Sequence, residues 1–139
     1  METILILDDD AANLKGMADV LRFENYSVLE ASHGLQAIET AKQCGPMSLF
    51  ITDMDLPYLS GTDIALMLVA LYPSLPALFI SGTPMVWWNS RDFSNFKRLP
   101  QNSVDFIEKP FSVFQLVIRV RRLIERRPQS RNERGSQAA

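Results

Sequence analysis

The chain is short of several things, and each shortage removes a class of protein. It has one cysteine, Cys44, so no internal disulfide can form and a reducing compartment is expected. It has one histidine, His33, which reads as a loop residue rather than a metal ligand or phosphodonor, and no catalytic base stands out. No apolar run approaches the ~18 residues of a membrane span. The first residues, METILILDDD, place acids where a secretory leader carries basic residues. The expected location is therefore the cytoplasm, with no membrane partner. No internal repeat is visible, and no domain boundary appears before the last dozen residues.

What is present fits one folded domain. Of 139 residues, 47% are hydrophobic and 22% charged, enough to bury a core without staples. The net charge of -2 conceals a division. Residues 119–139 sum to +5 and residues 1–118 to -7. An acidic body argues against a nucleic-acid surface. The end of the chain, RPQSRNERGSQAA, lacks large apolar side chains. Residues 128–139 are accordingly expected to be a disordered basic tail after a domain spanning 1–127.

Short apolar runs and helical periodicities alternate along the body. TILIL (3–7), YSVLEA (26–31), SLFIT (48–52), ALFIS (77–81) and VDFIE (104–108) read as strands. Leu14, Met17, Ala18 and Leu21 mark a first helical face, and Leu35, Ile38 and Ala41 a second, closed by Gly45 and Pro46. SGTD (60–63) has capping-box spacing ahead of Ile64, Met67, Leu68 and Leu71. Val113, Leu116, Val117, Val120 and Ile124 mark the last helix. This alternation predicts an α/β fold, a five-stranded parallel sheet with helices on both faces.

In such a sheet, sites form at the carboxyl ends of the strands. Asp8, Asp9 and Asp10 follow the first strand, Asp53 and Asp55 the third, Ser81 the fourth and Lys109 with Pro110 the fifth. Crowded carboxylates repel unless a cation sits among them, and oxygen-only ligands suit magnesium. A lysine and a hydroxyl beside them are donors for an anion. Together these groups make a site for a phosphoryl group carried on a carboxylate.

The motifs ILILDD, ITDMDLP…SG, FISG and FIEKPF, in this order, resemble the receiver domain of two-component response regulators, from about Thr3 to about Arg127. The resemblance implies a flavodoxin-like, doubly wound three-layer sandwich. It makes Asp53 the phosphoacceptor and Asp8, Asp9 and Asp53 the Mg2+ ligands, with Asp9 in direct contact and Asp55 adding its backbone carbonyl. Ser81 and Lys109 become the hydroxyl and lysine of the site, and Ser81 with Phe106 the switch pair. It further implies a histidine kinase or histidine phosphotransfer protein as donor in a phosphorelay, slow self-hydrolysis rather than enzymatic turnover, and switching of the helix 4, strand 5 and helix 5 surface.

Plainer readings exist for several residues. Asp10 can be a helix-start acid favoured by the dipole, Phe106 a core aromatic, Ser81 a turn residue and Cys44 a small helix-end residue. A degenerate receiver acting as a phosphorylation-independent interaction module is one alternative. A haloacid-dehalogenase-like phosphatase, suggested by DMD, is another, but its DxD follows a first strand rather than a third. Residues 83–102 depart from the receiver pattern. They hold Pro84, Pro100 and several polar residues that weaken a fourth helix, leaving a short one near Arg91–Leu99. Four of the chain's thirteen aromatics, Trp87, Trp88, Phe93 and Phe96, fall within ten residues here. Either they pack onto the sheet, or Trp87 and Trp88 project and dock a partner or, with helix 5, a second receiver.

Overall fold

A computed structural model describes residues 1–127. The expected tail lies outside the described residues. Five strands, β1 (Thr3–Leu7), β2 (Ser27–Ala31), β3 (Leu49–Asp53), β4 (Ala77–Ser81) and β5 (Val104–Glu108), form one parallel sheet in the order β2-β1-β3-β4-β5. The helices are α1 (Ala11–Phe23), α2 (Gly34–Cys44), α3 (Gly61–Leu71), α4 (Ser90–Arg98) and α5 (Val113–Glu125). The result is the doubly wound, flavodoxin-like sandwich.

Strand alternation divides the core between two layers. Ile4, Ile6, Ile51, Leu78 and Ile80 face Leu14, Leu21, Leu116 and Val120 of α1 and α5. Leu5, Leu7, Phe50 and Phe79 face Ala37, Ala41, Ala65, Leu68 and Phe96 of α2, α3 and α4. Apart from Thr3 at the half-buried start of β1, the central strands carry no polar side chain before their carboxyl ends because both faces are covered.

Some boundaries and faces differ from the sequence reading. Tyr26 lies outside β2 because its N–H donates to Leu21 O at the end of α1. The third strand runs one residue further and takes in Asp53. Leu35, Met67, Leu71 and Val113 are exposed although they match helical periodicity. In α3 the inward face is Ile64, Ala65 and Leu68, and in α5 Leu123 completes the stripe. The fourth helix is the short one expected, shifted by one residue to Ser90–Arg98. Pro84 and Pro100 fall outside it, and Asn89 caps it by accepting from the Asp92 N–H at 2.8 Å. Among the described residues, no helix is long and apolar enough to cross a membrane.

Candidate functional site at the carboxyl edge

The strand order reverses at β1, so the ends of β1 and β3 open a crevice at the switch point. Asp8 leaves β1 into it and is fully buried. Its Oδ1 accepts the Asp10 N–H at 2.9 Å, while its Oδ2 has no hydrogen-bond partner. Burial, joined by the nearby Asp53 charge, raises the Asp8 pKa above the usual carboxylate value. Asp10 turns away and caps α1, accepting the Asn13 N–H.

Asp53 ends β3 and is 4% exposed. Its Oδ1 accepts the Asp55 N–H at 2.9 Å, and Lys109 Nζ donates to its Oδ2 at 2.9 Å. Burial alone would lower the Lys109 pKa; the hydrogen bond and charge of Asp53 outweigh that and raise it. Lys109 arrives there because its N–H donates to Ser81 O, which extends the β4–β5 pairing past its end. The peptide bond after it, to Pro110, is cis.

Ligand oxygens of Asp8, Asp9 and Asp53 all lie within 4.8 Å of one another. The donor set is hard oxygen only, and one of its buried oxygens is orphaned. A buried carboxylate oxygen without a donor is rare unless something fills the place, and a cation suits it. The Asp55 carboxylate is exposed and outside this cluster.

Ser81 ends β4 and Phe106 lies at the middle of β5, opposite Phe79. Ser81 Oγ donates to Thr83 O at 2.5 Å and accepts from the Thr83 N–H at 3.1 Å and Trp88 Nε1 at 3.0 Å. The two tryptophans part company. Trp87 is 77% exposed. Trp88 folds inward, its ring edge-on to Phe96 at 5.4 Å and to Phe106 at 5.2 Å. The projecting pair is thus corrected to one projecting ring and one packed ring, because the indole N–H finds acceptors at Ser81 and Thr83.

Two features of the site were missed in the sequence. A Cβ on Gly61 would lie 2.2 Å from Asp53 O, so only glycine lets α3 start against the strand end that carries Asp53. The SG of the motif was legible; its reason was not. The second is a polar network joining α3 to α4. Thr62 Oγ1 donates to Asp92 at 2.7 Å, and Asn95 Nδ2 and Arg91 Nε donate to Asp63 at 2.9 and 3.0 Å.

A flavodoxin-like sheet with a carboxylate cluster and a lysine at its switch point places the chain among the doubly wound α/β domains. Within that class, a family model described as the response regulator receiver domain matches residues 4–121, and the chain belongs to this family. It is similar to the probable transcriptional regulatory protein TcrX of Mycobacterium tuberculosis, 29% identical over 89% of this chain and 50% of that one. A response regulator receiver protein of Sinorhizobium medicae superposes with a TM-score of 0.75 at 26% identity, covering 89% of this chain and 94% of the other. The fold also matches the Thermotoga maritima response regulator TrrA, solved with Mg(2+)-BeF, at a TM-score of 0.73 and 20% identity over 88% and 99% of the two chains. The chain spans about half the length of the transcriptional regulators it matches. Receiver domains of this family are signalling domains of two-component systems.

Proposed function

We propose that Asp53 accepts a phosphoryl group from a phosphohistidine of a histidine kinase or histidine phosphotransfer protein, in a magnesium-dependent reaction. One observation carries the reading. At a single strand end, Asp53 meets Lys109 on one carboxylate oxygen and Asp8 and Asp9 within ligand range. An Asp53 oxygen attacks phosphorus, and the P–N bond breaks. Its electron pair leaves with the imidazole, which takes a proton from solvent. The Lys109 ammonium offsets charge on a phosphoryl oxygen. Asp8, Asp9 and Asp53, with the Asp55 carbonyl, would hold the magnesium. When bound, that ion supplies neutralisation of the transferring phosphoryl oxygens. Attack of water on the acyl phosphate later returns Asp53 and inorganic phosphate, so the chain modifies itself rather than turning over a substrate.

Ser81 and Phe106 would pass the change to the surface of α4, β5 and α5. Val86, Trp87 and Phe93 are exposed apolar side chains of the 83–102 segment, which together with α5 would offer a face for a second copy. Incubation with a small phosphodonor and magnesium should add one phosphoryl mass to the parent chain and none to Asp53→Asn. Equal labelling of the variant would sink the assignment.

A further inference from the structure

We propose that Trp88 is a positioning residue that holds the Ser81 hydroxyl away from Asp53 until a phosphoryl group draws it across. This inference rests on the acceptor reading of Asp53. A serine hydroxyl has one proton and two lone pairs. The Ser81 proton is given to Thr83 O, and the lone pairs take the Thr83 N–H and the Trp88 indole N–H. All three are committed within its own turn, so no proton is free to meet an anion on Asp53. To donate to a phosphoryl oxygen, Ser81 must release Thr83 O and swing its oxygen off the indole.

The turn that sets this arrangement is short. A single 3-10 turn, Met85–Trp87, brings the indole back to a residue seven positions earlier, and the Trp88 N–H closes it on Met85 O at 3.0 Å. Trp88 Nε1 also donates to Thr83 O at 3.2 Å. When the Ser81 proton leaves that carbonyl, the carbonyl can take the indole alone. Release therefore strands no buried donor, and its cost is about one ordinary hydrogen bond. The freed ring stands edge-on to both Phe96 of α4 and Phe106 of β5, which themselves meet at 6.2 Å. Movement of one indole is thus felt at both elements.

The plain alternative is that Trp88 only fills space between α4 and the sheet. The two accounts differ in how they depend on Ser81. The experiment uses beryllofluoride with magnesium as the phosphoryl mimic, read by fluorine NMR, in a Trp87→Phe background. Trp87 is exposed, so this change leaves Trp88 as the single tryptophan without touching the carboxylate site. Trp88→Phe keeps a ring and removes the N–H. It should bind the mimic about fivefold more tightly, the equilibrium value of one hydrogen bond. In a Ser81→Ala background the same substitution should give no gain. The chain retaining Trp88 should also change its tryptophan emission as the mimic binds, a readout that survives if Trp88→Phe folds poorly. Unchanged or weaker binding by Trp88→Phe, an equal gain without Ser81, or emission indifferent to bound mimic would each overturn the proposal. Failure of the parent to bind the mimic at all would instead overturn the acceptor reading, and this inference with it.

Discussion

The carboxyl edge at β1 and β3 and the segment from Thr83 to Asn102 lie beside one another but are built by different means. At the edge, each functional side chain sits at the end of a buried strand whose register places it. Asp53 is held by a backbone N–H from Asp55 and by Lys109. The segment has little continuous apolar face: α4 buries Asp92, Asn95 and Phe96, two of them polar. It is held by side-chain hydrogen bonds to Thr62 and Asp63 and by edge-on aromatic contacts. Strand ends are therefore stiff, because displacing one costs a core. A helix held by a few directional bonds can shift when one of those bonds is exchanged. With Asp53 in its proposed role, the edge would be the fixed acceptor and the segment the shiftable reader of a phosphoryl-driven switch.

The sharpest way to break the comparison is to disturb the stiff side. Gly61→Ala drives a Cβ against Asp53 O, and backbone must move. A loss of about 3 kcal/mol in urea unfolding is expected, with loss of phosphorylation. A loss under about 1 kcal/mol would mean that the strand end is not stiff.

A smaller effect separates the two tryptophans. Trp88→Ala empties a half-buried site between Phe96 and Phe106 and should cost about 2 kcal/mol. Trp87→Ala should fall within about 0.5 kcal/mol of the parent while weakening association with a partner or second copy. Equal costs would erase the distinction between packed and projecting rings.

The smallest effect tests the bonds of the reader. Burial pushes the Asp63 pKa up, but the Ser60 N–H, Arg91 and Asn95 together hold it below its ordinary 3.8. A depressed carboxylate contributes stability above its unfolded-state pKa and loses it as pH falls through the folded one. Asp63→Asn should therefore cost about 1 kcal/mol at pH 7. The gap from the parent should start to narrow only below the ordinary 3.8, as the pH falls toward the lower folded value. A gap that does not narrow as the pH falls below 3.8 would show that the charge is not what joins α3 to α4.

How much of this was legible follows from the same division. Asp8, Asp53 and Lys109 could be placed because each follows an apolar run, and a parallel sheet gathers such ends on one edge. The capping box at Ser60 and Asp63 was legible because it is local. Met67 and Leu71 were misplaced because periodicity reveals that a stripe exists, not which of two apolar stripes turns inward. Trp88 was not legible because its place depends on whether an indole N–H reaches Ser81 across a turn. Asp92 and Asn95 gave no signal either, since polar residues in a helix read as solvated until a partner helix is known.

In the proposed reading, the buried carboxylates around Asp53 make its phosphorylation metal-dependent. The most direct measurement is mass spectrometry with peptide mapping of the parent and Asp8→Asn, each given a small phosphodonor with magnesium or with a chelator. One phosphoryl group is expected on the peptide carrying Asp53, present only in the parent and only with magnesium. Asp8→Asn, relieved of a buried, unpaired carboxylate oxygen, should stay folded and unlabelled. Labelling of the parent under chelation, labelling of Asp8→Asn at the parent's rate, or a phosphoryl group mapped away from Asp53 would contradict it.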